Sequence, residues 1–137
     1  MRLPMETDYA FRIMYTLALV GGRCDTKVIS EKCGISQQTV LKVIRRLMMS
    51  GLVTSKQGKS GGYELSKKAG DTTLLEVFEA MESKICFSKC LEEDYICSRM
   101  CDKKHECAFH RLFGKINGEI VGKLSGFTLE DMLSDKI

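Results

Sequence analysis

The stretch ISEKCGISQQTVLKVIRRLMMSGLVTSKQGKSGGYEL, residues 29–65, decides the fold. Its first residues complete a short helix that ends at Gly34. Ser36 is a helix-capping residue, and the segment from Gln37 to about Ser50 follows it with helical periodicity. Val40, Leu41, Ile44, Leu47 and Met48 form one apolar stripe, and Gln38, Lys42, Arg45 and Arg46 occupy the other face. Gly51 stops the helix. Leu52-Val53-Thr54 and Tyr63-Glu64-Leu65 then flank a basic, glycine-rich loop from Ser55 to Gly62, which predicts a β-hairpin.

Working outward, residues 8–20 are mostly apolar, with Ile13, Met14, Leu17 and Ala18 at helical spacing. Thr7 is the expected N-cap of that helix and Gly21-Gly22 its stop. Lys27 to Cys33 predict a short second helix. Downstream, Thr73 and Glu76 form a capping box before Leu74, Val77, Phe78 and Met81. Periodicity fails from about Ser83 to Glu106. It returns in a long helix, about Ala108 to Leu124, with Phe109, Leu112, Phe113, Ile116, Ile120 and Leu124 along one side. Gly114, Gly118 and Gly122 repeat on one face of it. Each costs roughly 1 kcal/mol against Ala, which a close helix crossing would offset. Thr128 caps a last short helix through Met132. The expected organisation is residues 1–84 as a first domain, 85–107 as a cysteine-rich loop, and 108–137 as a dimerisation helix with a short terminal helix.

The chain has 137 residues and a formal charge of +3, unevenly spread. Residues 1–70 hold 12 Lys and Arg against five Asp and Glu, whereas residues 71–137 hold nine against 13. A basic front half suits a phosphate-rich partner. Glu6 and Asp8 precede any apolar run, so no secretory leader is expected, and no stretch approaches the ~20 apolar residues of a membrane span. The expected location is the cytoplasm.

Two helices around a glycine turn, followed by a hairpin, make a winged helix-turn-helix: a mainly α fold with a small β-hairpin. Its second helix enters a major groove of double-stranded DNA. Gln37, Gln38 and Thr39 lie at the base-reading end, where Gln pairs with adenine and Thr meets a thymine methyl. Lys42, Arg45 and Arg46 lie further along and hold phosphates. Lys56, Lys59, Ser60 and Gly61 belong to the wing. A polar helix face alone is usually a solvated face, and a glycine-rich hairpin alone is usually a turn. Their order, spacing and shared positive charge favour the joint reading. An enzyme is disfavoured: neither histidine stands in a nucleophile–base arrangement, and no phosphate-binding fingerprint is present.

Seven cysteines are an odd number, unsuited to a disulfide set in a reducing compartment. Cys24 and Cys33 read as buried core thiols. The other five crowd one segment: Cys86, Cys90, Cys97, Cys101 and Cys107, with His110 three residues on. Thiolates suit an iron–sulfur cluster, 2Fe–2S or 4Fe–4S, or a structural zinc ion. Redox-active thiols are the third reading, and spacing alone does not choose between iron–sulfur and zinc.

Met1-Arg2-Leu3, Thr7-Asp8-Tyr9-Ala10, the helix pair, the wing Gly58-Lys59-Ser60-Gly61-Gly62-Tyr63-Glu64-Leu65 and Leu75-Glu76-Val77 together resemble the Rrf2 family. The likeness covers nearly the whole chain. That family contains iron–sulfur, nitric-oxide, iron and cysteine-metabolism regulators. The resemblance implies a homodimer joined by the long C-terminal helix and bound to a palindromic operator, as repressor or activator. It aligns Cys90, Cys101 and Cys107 with the three cysteines of cluster-bearing members. His110 matches a histidine ligand of one branch, and Asp8 a carboxylate that another branch supplies from the partner subunit. The chain departs from the pattern in the longer gap between Cys90 and Cys101, which contains Cys97. Cys90, Cys97, Cys101 and Cys107 would supply four thiolates and make His110 and Asp8 dispensable. The wing lacks an arginine common in relatives and has Gln57 and Lys59 instead. The competing functions are a cluster-free regulator of the cysteine-metabolism kind and, from another class, an electron-transfer iron–sulfur protein.

Overall fold

The computed structural model describes residues 1–59, 61–99 and 103–137. Six helices and one hairpin follow in the order α1 (Met5–Val20), α2 (Thr26–Cys33), α3 (Gln37–Met49), β1 (Val53–Lys56), β2 (Gly62–Leu65), α4 (Leu74–Met81), α5 (Ala108–Gly126) and α6 (Leu129–Leu133).

The helix boundaries follow from their caps. Asp25 accepts from the Val28 N–H at 2.9 Å to open α2, and Ser36 accepts from the Thr39 N–H at 3.2 Å to open α3. Gly34 takes φ +69 between them, the left-handed turn that lets the chain reverse at no side-chain cost. Thr73 with Glu76, and Thr128 with Asp131, form full capping boxes for α4 and α6. Burial alone would raise the Glu76 carboxyl. The Lys67 ammonium and the Thr73 N–H and hydroxyl outweigh that and hold it below its ordinary 4.5.

Two expectations need correcting. Thr7 does not cap α1. The helix begins three residues earlier, with Pro4 at the cap position. Thr7 is buried inside the helix, and its hydroxyl donates to Glu82 Oε1 at 2.9 Å. Leu41 is not part of the α3 core stripe. Val40, Val43, Ile44 and Leu47 are buried there, while Leu41 is exposed. One residue is ~100° of helix rotation, enough to carry Leu41 out of an i, i+3, i+4, i+7 face.

The core gathers Ile13, Met14 and Leu17 of α1, Ile29 of α2, the α3 stripe, Leu52 and Val53 at the hairpin, Val77 and Met81 of α4, and Leu129 of α6. Leu129 shows that the end of the chain returns to the front helices. Leu74 N–H donates to the Phe127 carbonyl at 2.9 Å and Leu129 N–H to the Thr72 carbonyl at 3.0 Å. The α6 segment therefore packs with the winged-helix core, while α5 projects with no fully buried residue.

The hairpin gains a third partner. Cys24 and Tyr63 exchange both backbone hydrogen bonds at 2.9 Å, outside the β1–β2 register that pairs Val53 with Leu65 and Lys56 with Gly62. This bridge fixes the wing to the turn before α2. Cys24 and Cys33 are buried, as the sequence implies. Burial, with Asp25 beside it, pushes the Cys24 thiol above its ordinary 9.0. Among the described residues no helix is long and apolar enough to cross a membrane.

Candidate nucleic-acid interface and cysteine loop

The start of α3 presents Gln37 and Gln38 to solvent, with Lys42 and Arg45 exposed along the same helix. The apolar stripe holds the opposite face against α1 and α4, so these side chains stand outward on a fixed rod. Thr39 is half-buried and its hydroxyl lies 2.9 Å from Ser36 Oγ, so that group serves the cap. Arg46 turns inward: Nη2 donates to the Met81 carbonyl, and Nη1 lies 3.4 Å from Glu6 Oε2. Lys42 also pairs with Glu6 through Oε1. The hydrogen-bonded Lys42 ammonium, with Arg46, holds the Glu6 carboxyl below its ordinary value against a desolvation effect. Arg45 has no such partner on α1.

The wing is a tight glycine turn. Gly61 N–H donates to the Gly58 carbonyl at 2.9 Å, and Gly58 takes φ +99. A Cβ at Gly61 would meet the Lys56 carbonyl oxygen at 2.7 Å. Lys56 reaches Glu64 across the hairpin at 3.6 Å, and Lys59 is exposed at the tip. Ser60 lies outside the described residues.

The described part of the cysteine segment packs on α5. Phe87 N–H donates to Asn117 Oδ1 at 2.8 Å, and the Phe87 and Phe113 rings pack with centroids 5.4 Å apart. Leu91 lies 3.9 Å from where a Cβ at Gly114 would sit, so the 3₁₀ turn Lys89–Leu91 rests on the first half of α5. That turn contains Cys90. Cys107 is the residue before α5 and its thiol caps no N–H. His110 follows in the first turn, and among the described residues its Nδ1 is buried with no hydrogen-bond partner. The His105 ring meets His110 edge-on at 5.4 Å, and Arg111 fixes this corner by donating to the His105 and Glu106 carbonyls at 3.2 and 2.8 Å.

Asp8 lies elsewhere, in the first turn of α1, paired with Arg12 at 2.7 Å. Cys90, Cys97 and Cys107 are each half-buried. Cys101 lies outside the described residues. Among the described residues no three His, Cys, Asp or Glu side chains converge as a metal-binding group. The donors fit an iron–sulfur group in type, and His110 Nδ1 has no hydrogen-bond partner among the described residues.

A family model described as an iron-dependent transcriptional regulator, Rrf2, matches residues 3–135. The chain belongs to the Rrf2 family. It is 32% identical to the protein rrf2 of Nitratidesulfovibrio vulgaris, across 98% of this chain and 89% of that one. It is 30% identical to the transcriptional regulator IscR of Photorhabdus laumondii, across 99% of this chain and 81% of that one. Among solved structures it resembles CymR, the global cysteine regulator of B. subtilis, with a TM-score of 0.80 and 25% identity over 98% of this chain and 97% of that one.

As an Rrf2 protein the chain is a DNA-binding transcription regulator of winged-helix type and not an enzyme. Reasoning from the sequence overlooked two groups in the Rrf2 frame. Glu6 binds two α3 cations, a contact made across 36 and 40 residues that no local pattern announces. His105 faces His110, and its spacing of five residues is unlike a helical ligand pair.

Proposed function

We propose that this regulator binds a palindromic operator as a homodimer and that an iron–sulfur cluster in the cysteine segment tunes its affinity. Cys90, Cys97, Cys101 and Cys107 are the proposed thiolate donors, with His110 as the alternative nitrogen ligand. Asp8, already paired with Arg12 in its own chain, is the weakest candidate. The observation that carries the cluster reading is His110 Nδ1, three residues after Cys107, buried and without a hydrogen-bond partner among the described residues. A buried acceptor or donor with nothing to bond costs about 1–3 kcal/mol, which a metal ligand role removes. The cluster would supply reversible redox and ligand-exchange chemistry. The protein's own part is to couple that corner to the reading helix. The cysteine segment begins where α4 ends, and Glu82 and the Met81 carbonyl there bond to Thr7 and Arg46.

Gln37 and Gln38 are the proposed base readers. Arg45, Lys56 and Lys59 are proposed phosphate contacts, with Thr39 and Gly61 beside them and Ser60 proposed from the sequence alone; Lys42 would have to leave Glu6 to join them. Arg46 would have to leave Met81 and Glu6 to join them. The cluster-free reading is favoured by the lack of three converging donors among the described residues and by the likeness to a cysteine regulator.

Anaerobic purification separates the two. The cluster reading expects brown protein containing iron and sulfide, and loss of its visible absorbance in Cys97→Ala. An unchanged Cys97→Ala spectrum would remove Cys97 from the ligand set. Wild-type protein without iron or sulfide would leave the cluster-free regulator standing.

A further inference from the structure

Glu6 stands in the first turn of α1, between two cations of the reading helix. Its carboxylate binds Lys42 through Oε1 and lies 3.4 Å from Arg46 through Oε2. The backbone at this point is fixed. Thr7, the next residue, is buried and bonded to Glu82 at 2.9 Å, and Asp8 N–H donates to the Pro4 carbonyl at 3.0 Å. The two cations differ in their hold. Arg46 has a second anchor in the Met81 carbonyl, whereas among the described residues the exposed Lys42 ammonium bonds to Glu6 alone.

Sequence-independent affinity for a duplex comes from cations that replace counterions on phosphates, while base edges carry the specificity. A lysine already neutralised by a carboxylate of its own chain displaces no counterion. Among the described residues neither Gln37 nor Gln38 hydrogen-bonds to Glu6 or Lys42, so their polar groups stay available to bases.

We propose that Glu6 is a specificity-determining positioning residue, which keeps Lys42 neutralised within the protein and so holds down the phosphate attraction of the reading helix. The proposal rests on the DNA reading of α3 given above. In Glu6→Gln, Lys42 is released to phosphate while Arg46 stays on the Met81 carbonyl. One released cation per engaged helix steepens the dependence of log affinity on log salt by about 0.9. For each engaged helix the variant's gain over wild type then shrinks by about 3.5-fold between 50 and 200 mM salt.

The test is fluorescence anisotropy with a random-sequence duplex across that salt range, for wild type, Glu6→Gln and the double variant Glu6→Gln/Lys42→Gln. The expected result is tighter, steeper binding in Glu6→Gln and a return to the wild-type slope in the double variant. A Glu6→Gln protein that melts like wild type and keeps the wild-type slope overturns the proposal. Should Glu6→Gln fail to fold, Lys42→Gln alone decides. Its slope should equal that of wild type, and a slope shallower by about 0.9 overturns the proposal. Wild-type protein that binds no duplex at any salt overturns the DNA reading together with this inference. Normal wild-type binding with no Glu6 effect overturns the inference alone.

Discussion

Gly62 takes φ +139, and a Cβ built there would lie 2.7 Å from the Cys24 carbonyl oxygen. That oxygen accepts the Tyr63 N–H at 2.9 Å, so the missing side chain is what lets the wing close onto the turn before α2. Gly62→Ala is expected to cost about 1–3 kcal/mol in backbone strain and to weaken this bridge. Urea denaturation measures the loss, and a variant as stable as wild type would show that the bridge does not anchor the wing. Residues of this kind were partly legible. The run Gly58-Lys59-Ser60-Gly61-Gly62 announced a turn, but the sequence does not say which glycine meets another strand. The capping residues Ser36, Thr73 and Thr128 were legible because each bonds to a backbone N–H within three residues. Glu6 was not, because its partners lie across the fold.

Among the elements, α5 is the one whose burial is incomplete. None of its residues is fully buried, and Phe109 and Leu112 are 58% and 51% exposed. Phe113, Ile116, Ile120 and Leu124 are half-buried. A groove of about 1070 Å³ runs between this helix, Phe78 of α4 and the residues before α1. Gly118 and Gly122 have open space around them, so nothing among the described residues crosses there. An amphipathic helix is stabilised mainly by packing its apolar face, and a second chain is the proposed cover. Leu112→Asp should therefore shift the protein to the monomer mass in light scattering while α1–α4 stay folded by circular dichroism. A persistent dimer would place the interface elsewhere. The existence of α5 and its approximate limits were readable from its periodicity, from about Ala108 to Leu124. Its lack of cover within the chain was not, since an apolar stripe looks the same whichever surface meets it. The start of α1 was misread because a threonine before an apolar run resembles a cap, and only the contact with Glu82 shows that Thr7 points into the fold.

For the whole molecule, the helix pair and the hairpin of the front half were legible in the sequence, and the structure contains both. The return of α6 to that unit was not foreseen, because its five residues carry one deeply buried leucine and no long pattern. In the cysteine segment the sequence shows a crowd of thiols but not their geometry. The position of its described part depends on Phe87 and Leu91 meeting Phe113, Gly114 and Asn117 of α5, pairings that link residues up to 30 apart. What these parts share is a rigid α3 with Gln37, Gln38 and Arg45 facing outward, in a chain whose proposed dimer axis runs through α5. Two such helices would meet one duplex only at half-sites about 34–36 Å apart, or a multiple of that. Selection of bound duplexes from a random pool tests this most directly. The account predicts enrichment of an inverted repeat with that half-site spacing, lost when Gln38 is replaced by alanine. A pool that stays random after repeated rounds, or one that enriches a single unpaired site, would contradict it.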